Sequence, residues 1–191
     1  MNIVTQDFTP YEVKKISVLF TDDQTASSFG CAGSMEVSHN TKIRKKTCGG
    51  KTLGSRVSPD GTGSIKLNIF ANRNLLIKAF SMMDENLAEG VRGYGKNLHT
   101  SFCLVALVVD FDDIEKYVAF PRCIFEDGFS EKVDNSSDEQ TPAEINLAIN
   151  QDEYGFTMYD AIVSEITDEN IKSQWMTKFT PDLVKKAGSA A

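Results

Sequence analysis

Three stretches of this chain alternate between apolar and polar residues, and this pattern restricts the fold more than any other feature. They are Lys14–Phe20, Ser64–Phe70 and Glu144–Asn150. Because successive side chains of a β-strand point to opposite faces, a period of two predicts strands with one buried face. The residues expected on the buried faces are Ile16, Val18, Phe20, Ile65, Leu67, Ile69, Ile145, Leu147 and Ile149.

A fourth stretch, Phe102–Val109, is apolar on both faces. This is typical of a central strand that is covered by a layer on each side. Lys116–Phe125 is predicted to be its neighbour, joined to it through the acidic turn Asp110–Asp113. Pro121 has no backbone N–H to donate, so it predicts an edge position or a bulge in that neighbouring strand.

Two segments carry helix signals. The first is Arg73–Met83, with Asn72 as its N-cap. The second is Asp168–Met176, where Thr167 is the predicted cap and the acidic start favours the positive end of the helix dipole. Spacings of three and four predict an apolar stripe on the first helix that leaves out Ile77. The stripe consists of Leu75, Leu76, Ala79, Phe80 and Met83.

The length of 191 residues suits one domain, predicted at residues 1–184, followed by a flexible tail at residues 185–191. No apolar stretch approaches the ~18 residues that cross a membrane. The N-terminus lacks the basic start and apolar run of a secretory signal. The sequence therefore predicts a protein without a membrane segment that is made and assembled in a cytoplasm.

The segment Ser38–Gly63 is long, polar and rich in glycine, and it is predicted to form two strands or an extended arm. Pro59-Asp60-Gly61 is the predicted turn. Between Ser38 and Pro59 there are six basic residues and no acid. The bases are Lys42, Arg44, Lys45, Lys46, Lys51 and Arg56, and they are the candidate contacts between subunits or between rings of subunits.

Acidic residues are concentrated in a different part of the chain. Residues 110–169 contain 17 acids and three bases. A chain with one basic segment and one acidic region can associate with copies of itself, or it can bind a polyanion through the basic segment. Nucleic-acid binding of single strands uses aromatic residues for base stacking, and the basic segment has none. The composition therefore favours docking on an acidic neighbour over binding to nucleic acid.

Motifs for catalysis or cofactor binding are incomplete. Cys48-Gly49-Gly50-Lys51-Thr52 lacks the first glycine and the following helix of a phosphate-binding loop, so a hairpin turn is favoured. His39 and His99 lie in no catalytic or zinc-binding pattern. Asp134–Glu139 has alternating oxygen ligands but not the glycine of a calcium loop. We expect no enzyme activity, no cofactor and no metal site.

The cysteines are predicted to be reduced, buried thiols. They are Cys31, Cys48, Cys103 and Cys123, and no two of them form a Cys-x-x-Cys pair. A protein of the cytoplasm rarely keeps disulfides, and free cysteine is among the most buried residue types.

In order and spacing, several segments resemble major tail proteins of siphophages that infect Gram-positive bacteria. The resemblance spans roughly residues 10–184. The segments are Gly30–Val37, Thr41–Gly50, Gly61–Leu67, Tyr94-Gly95, Ala119–Cys123, Asp152–Gly155 with Met158-Tyr159, and Ser173–Thr177 with Phe179–Pro181.

The resemblance implies a mainly β fold of the α+β class, with two packed β-sheets, a flanking helix and a long hairpin or loop arm. It also implies a structural virion protein without catalytic residues. Six copies would form a ring, and stacked rings would form the tail tube through which genomic DNA passes without specific binding. The implied partners are further copies of the chain, the tape measure, the tail terminator and the distal tail protein.

Two alternatives remain open at the level of sequence. The chain could be another virion part of the same fold family, such as a tail terminator or a distal tail protein, which form single rings. The basic segment also allows a nucleic-acid-binding module. The net charge of −7 fits a DNA conduit, because a ring of like-charged copies repels the duplex.

Overall fold

A computed structural model of the protein describes residues 7–131 and 141–185. The described residues form a mainly β structure with two α-helices, which confirms the predicted class. The strands are β1 (Pro10–Phe20), β2 (Ser27–Ser28), β3 (Gly30–Cys48), β4 (Lys51–Ala71), β5 (Phe102–Asp110), β6 (Glu115–Phe125), β7 (Ala143–Asn150) and β8 (Tyr159–Ile162). The helices are α1 (Arg73–Ala79) and α2 (Glu169–Lys178), and short 3-10 turns lie on either side of α2, at Val163–Glu165 and Pro181–Val184.

All of these strands belong to one hydrogen-bonded sheet. Its order is β2-β1-β5-β6-β7-β4-β3, with β8 paired to β6, and every pairing is antiparallel. Two packed sheets were expected, whereas the backbone forms a single sheet that curves around its own apolar face. Strands near opposite ends of the order, such as β1 and β4, therefore contribute to the same core.

The three alternating stretches supply the main core, as predicted. In β1 the inward residues Ile16, Val18 and Phe20 are at most 2% exposed. The inward residues of β4 and β7 are buried as well. Burying one such side chain contributes roughly 1.5–3 kcal/mol before its conformational entropy is subtracted. The period of two thus fixes which side of each strand faces the interior.

The curved sheet is closed by Phe29, the residue between β2 and β3. Its N–H donates to the carbonyl oxygen of Ile16 at 3.0 Å, and its own carbonyl accepts from the N–H of Asn72 at 2.8 Å. Backbone hydrogen bonds therefore continue from β1 across this residue to the end of β4. The Phe29 ring is 1% exposed and packs edge-on against Phe102 and Phe125.

A second, smaller cluster covers the outer face of β5 and β6. Trp175 and Phe179 of the α2 region pack there against Val105 and Ala119. Trp175 also stacks on Tyr117, with 5.6 Å between ring centroids. This layer explains why Phe102–Val109 is apolar on both sides, and it confirms the predicted central strand and its pairing with β6.

Pro121 lies at a bulge, one of the two positions predicted for it. The register of β5 and β6 shifts between Phe102↔Cys123 and Leu104↔Phe120. On the other side of β6, pairing with β8 ends at Ala119, and pairing with β7 begins at Arg122. The missing N–H of proline therefore falls where β6 changes partners and needs no donor.

The first helix is shorter than the sequence indicates. Asn72 caps it as predicted, accepting the N–H of Asn74, but the helix ends at Ala79 and Met83 is exposed. Ile77, which the predicted stripe leaves out, is 7% exposed. The chain after the helix folds back on it, where the N–H of Met82 donates to the carbonyl of Ile77.

The second helix begins one residue later than the sequence predicts. Asp168, and not Thr167, is the cap, since its carboxylate accepts the N–H of Asn170 at 2.8 Å. The helix ends before Pro181, which begins the last 3-10 turn. Within the described residues, neither helix is long and apolar enough to cross a membrane. Most of the predicted tail, from residue 186 onward, lies outside the described residues.

Gly30 is predicted to be indispensable to sheet closure. Its φ of +139° is open only to glycine, and an added Cβ would lie 2.0 Å from the carbonyl oxygen of Phe70. Gly30→Ala should lower the free energy of unfolding in urea by about 3 kcal/mol, from backbone strain and overpacking. Gly54→Ala is the control, because its Cβ meets nothing within 4 Å. Equal stability of the two variants would refute this role.

Candidate functional site

The predicted arm is a β-hairpin that extends beyond the body of the sheet. β3 and β4 remain paired as far as Cys48↔Lys51. The pairing of β4 with β7 stops at Thr62, so beyond that point the hairpin has no neighbouring strand among the described residues. Every residue from Ser38 to Pro59 is exposed. We call residues 38–63 the arm, as defined by the sequence.

The turn of the arm lies at Gly49 and Gly50. Both residues have positive φ, at 55° and 76°, as a two-residue type I′ hairpin turn requires. The prediction of a turn at Pro59-Asp60-Gly61 is wrong. That tripeptide lies inside β4, at a register shift between His39↔Gly63 and Thr41↔Pro59. A strand and not a helix follows Lys51, so this segment does not form a phosphate-binding loop.

The register shift near Asp60 leaves the two faces of the arm unchanged. Between the flanking pairs β4 contains two more residues than β3, and an even difference keeps alternate side chains on their original sides. The side chain of Thr62 donates to the Asp60 carboxylate at 2.7 Å, and this hydrogen bond lowers the pKa of Asp60, with a further contribution from Lys42. The site of the shift is thus held by local hydrogen bonds.

The two faces of the arm differ in chemistry. We define the basic face by four residues at alternating register positions, Lys42, Arg44, Lys46 and Arg56. We define the apolar face by the cross-strand pair Ile43↔Val57, which lies on the opposite side together with Lys45. Ile43 is 60% exposed and Val57 is 63% exposed. The predicted contact residues therefore do not form one patch: Lys45 points away from the basic face, and Lys51 lies next to the turn.

The basic face carries a repulsion between two opposed arginines. Arg44 and Arg56 are directly opposite in the register, and like charges in such a pair destabilise a hairpin. None of the six predicted contact bases forms a salt bridge with a described residue. An acidic or anionic partner would remove this cost.

The acidic residues of the second half have several roles. Asp110 is 6% exposed and accepts the N–H groups of Asp112 and Ile114, both at 2.9 Å. Asp152 is equally buried and accepts the hydroxyl of Tyr159 at 2.6 Å. These two carboxylates hold loops and are not available to a partner. Asp112 and Asp113, at the predicted turn between β5 and β6, are exposed.

Two exposed aromatic rings lie beside this acidic turn. Tyr11 and Phe111 are 74% and 82% exposed and meet edge to face, with 6.1 Å between ring centroids. No sequence pattern identifies these rings as exposed, nor the apolar pair Ile43 and Val57. A pattern of alternating residues shows that they share strand faces, but it does not show that nothing covers those faces.

The two histidines lie in structural contacts. His99 Nδ1 is 3.1 Å from the carbonyl oxygen of Phe125, and its ring packs edge-on against Phe80. His39 Nδ1 is 3.2 Å from the hydroxyl of Thr157. Across residues 7–131 and 141–185, no three His, Cys, Asp or Glu side chains are grouped to hold a metal ion. The segment Asp134–Glu139, considered above for calcium, lies outside these ranges.

The cysteines fall into two classes, and the prediction that all are buried is wrong for half of them. Cys123 is fully buried and Cys103 is partly buried, and burial raises the pKa of the Cys103 thiol to about 12 and that of Cys123 well above its usual range. Cys31 and Cys48 are exposed. Burial also raises the pKa of Tyr159, and its hydrogen bond to the Asp152 carboxylate adds to that effect.

Comparisons with known proteins identify no family for this chain. A scan against protein-family models gave no match, and a search of curated proteins gave none either. The resemblance to siphophage major tail proteins therefore stays a hypothesis from the sequence.

Thiol reactivity should separate the two classes of cysteine. The thiolate is the reactive form, so an exposed thiol near neutral pH reacts with iodoacetamide while a buried thiol of raised pKa does not. We expect mass spectrometry of the native protein to show two modified cysteines, Cys31 and Cys48, and all four after unfolding. Modification of Cys103 or Cys123 in the native state at the rate of Cys48 would contradict the described packing.

Proposed function

We propose that this protein is a structural subunit that assembles with copies of itself, and specifically the major tail protein of a siphophage. In this proposal six copies form a ring and the rings stack into the tail tube of the virion. The tape measure, the tail terminator and the distal tail protein are its partners, and DNA passes through the lumen without specific binding. The protein has no enzymatic role.

The observation that carries the proposal is the arm, which is exposed from Ser38 to Pro59 and has no neighbouring strand there among the described residues. A two-stranded hairpin without a neighbour is at best marginally stable in water. Both outer edges of the arm have unpaired N–H and C=O groups, which are a template for pairing with another chain. The repulsion between Arg44 and Arg56 adds to its cost. A hairpin of this kind is explained if an interface in an assembly covers it.

The charge distribution supports the same proposal. None of the six bases of the arm forms a salt bridge within the described residues, and exposed acids such as Asp112 and Asp113 lie elsewhere on the same chain. A closed ring of identical copies brings such complementary surfaces together in every interface. The resemblance in the order of segments adds the more specific identification with a tail tube.

A nucleic-acid-binding module is the second candidate. It is favoured by one observation, namely that Lys42, Arg44, Lys46 and Arg56 share a face of the arm. Such a face can contact phosphates, and its affinity would fall steeply with salt. The apolar opposite face and the absence of aromatic residues on the arm are not explained by this candidate.

Electron microscopy of the purified protein tests the first proposal. We expect rings at moderate concentration and stacked tubes at high concentration. Lys45→Glu with Lys46→Glu should shorten or abolish the tubes, because it replaces attraction by repulsion at the interface, while the circular dichroism spectrum stays unchanged. Long tubes would also exclude the tail terminator and the distal tail protein, which form single rings.

The control is Lys15→Glu with Arg73→Glu, which changes the net charge by the same amount at exposed positions away from the arm. Tubes of normal length from the Lys45/Lys46 variant would exclude a role of these residues in stacking. A protein that stays monomeric at every concentration and salt would contradict the proposal. Duplex DNA binding at low salt that only the arm variant loses would favour the second candidate.

A further inference from the structure

We propose that the apolar face of the arm docks on the Tyr11–Phe111 pair of a second copy of this chain, with Lys45 beside Asp112 and Asp113 of that copy. The inference rests on the proposed function in one respect, since both require self-association. It goes further by naming the two surfaces that meet.

The Tyr11–Phe111 pair has the properties of an interface anchor. Its rings are 74% and 82% exposed. Aromatic side chains are among those that contribute most to the binding energy of interfaces. The pair is held in place by its backbone: Pro10 pairs with Asp110, and the buried Asp110 carboxylate fixes the following turn. A surface that is already ordered loses little conformational entropy on binding.

The apolar face of the arm is the matching surface. In β3, Ile43 is an even number of residues from Met35 and Val37, which pack against the core. In β4, Val57 is likewise in phase with the core residue Ile65. The side of the hairpin that faces the interior within the sheet thus continues as an apolar face beyond it, where the described chain provides no cover.

Charge fixes the pairing of the two surfaces. On the arm, Lys45 follows Ile43 by two residues on the same side, which places them roughly 7 Å apart at the rise of a strand. On the turn, Asp112 and Asp113 directly follow Phe111. Each surface therefore has an apolar centre with charge at its border, and the signs are opposite. This arrangement is typical of specific interfaces.

The partner is a second copy because both surfaces are exposed in the same chain. The arm does not cover its own Tyr11 or Phe111. Tyr11 lines an apolar groove between β1 and β3 together with Val37, the residue just before the arm. The aromatic pair and the root of the arm thus share one end of the sheet, which favours a neighbour standing side by side in a ring over one stacked above.

The contact is small, so a single contact between two copies should be weak. Four side chains bury far less than the ~1,000 Å² of a stable interface. In a ring every copy makes the contact twice, once through its arm and once through its aromatic pair, so closure of the ring stabilises what a dimer does not. Association should therefore depend steeply on protein concentration.

Disulfide trapping between two differently tagged copies tests the contact. In a background of Cys31→Ser with Cys48→Ser, one copy carries Ile43→Cys and the other Phe111→Cys. A disulfide requires the two Cα atoms to approach within ~7 Å. We expect the mixed, doubly tagged dimer to form on mild oxidation, and to be lost when Lys45→Glu is added to the first copy.

The matched control pairs Ile43→Cys with Leu98→Cys. Leu98 is apolar and 90% exposed, and it precedes β5, whose far end leads to Phe111. Trapping at Leu98 and not at Phe111, or rings without trapping at Phe111, would overturn this inference and leave the tail-tube proposal intact. Trapping at Phe111 without rings or tubes in the microscope would sustain the contact and count against the tail tube. A strict monomer would overturn both.

Discussion

Closure of the sheet at Phe29 is the contact on which the other features of the fold depend. One residue donates to Ile16 and accepts from Asn72, so the strands at the two ends of the sheet are joined by backbone hydrogen bonds. The same residue places its ring in the core against Phe102 and Phe125. Closure gives the curved sheet a shared interior.

Closure also explains why the arm stands apart. Once β4 has paired with β7 along Thr62–Ile69, no strand in the described part of the chain is left to pair with the remainder of the hairpin. Its backbone edges, its apolar face and its basic face are then all exposed together. The core stabilises the body of the protein without any of them. Folding and association therefore depend on different residues, and association can change without loss of the fold.

The parts of the fold with a regular period could be predicted from sequence. The alternation predicts that Ile16, Ile65 and Ile145 face the interior. Because β5 is apolar on both faces, it predicts a covering layer on each side. The hairpin turn favoured at Cys48–Thr52 is confirmed, but the turn assigned to Pro59-Asp60-Gly61 is wrong, because that tripeptide and Gly49-Gly50 both carry turn chemistry. The choice between them depends on the cross-strand register.

The candidate site was predictable only in part. Its positive charge could be predicted, because the sequence of the arm has six bases and no acid between Ser38 and Pro59. Its division into faces was not, because the side on which Lys45 or Arg56 lies follows from how β3 and β4 pair. The exposed Tyr11–Phe111 pair joins residues a hundred positions apart, and no local pattern reports that contact.

The central claim is best tested by replacing residues 41–59 with two glycines and following sedimentation velocity over a range of concentrations. The account predicts a folded variant that melts within a few degrees of the full chain and stays monomeric, while the full chain forms larger species. A variant that associates like the full chain, or that fails to fold, would contradict it.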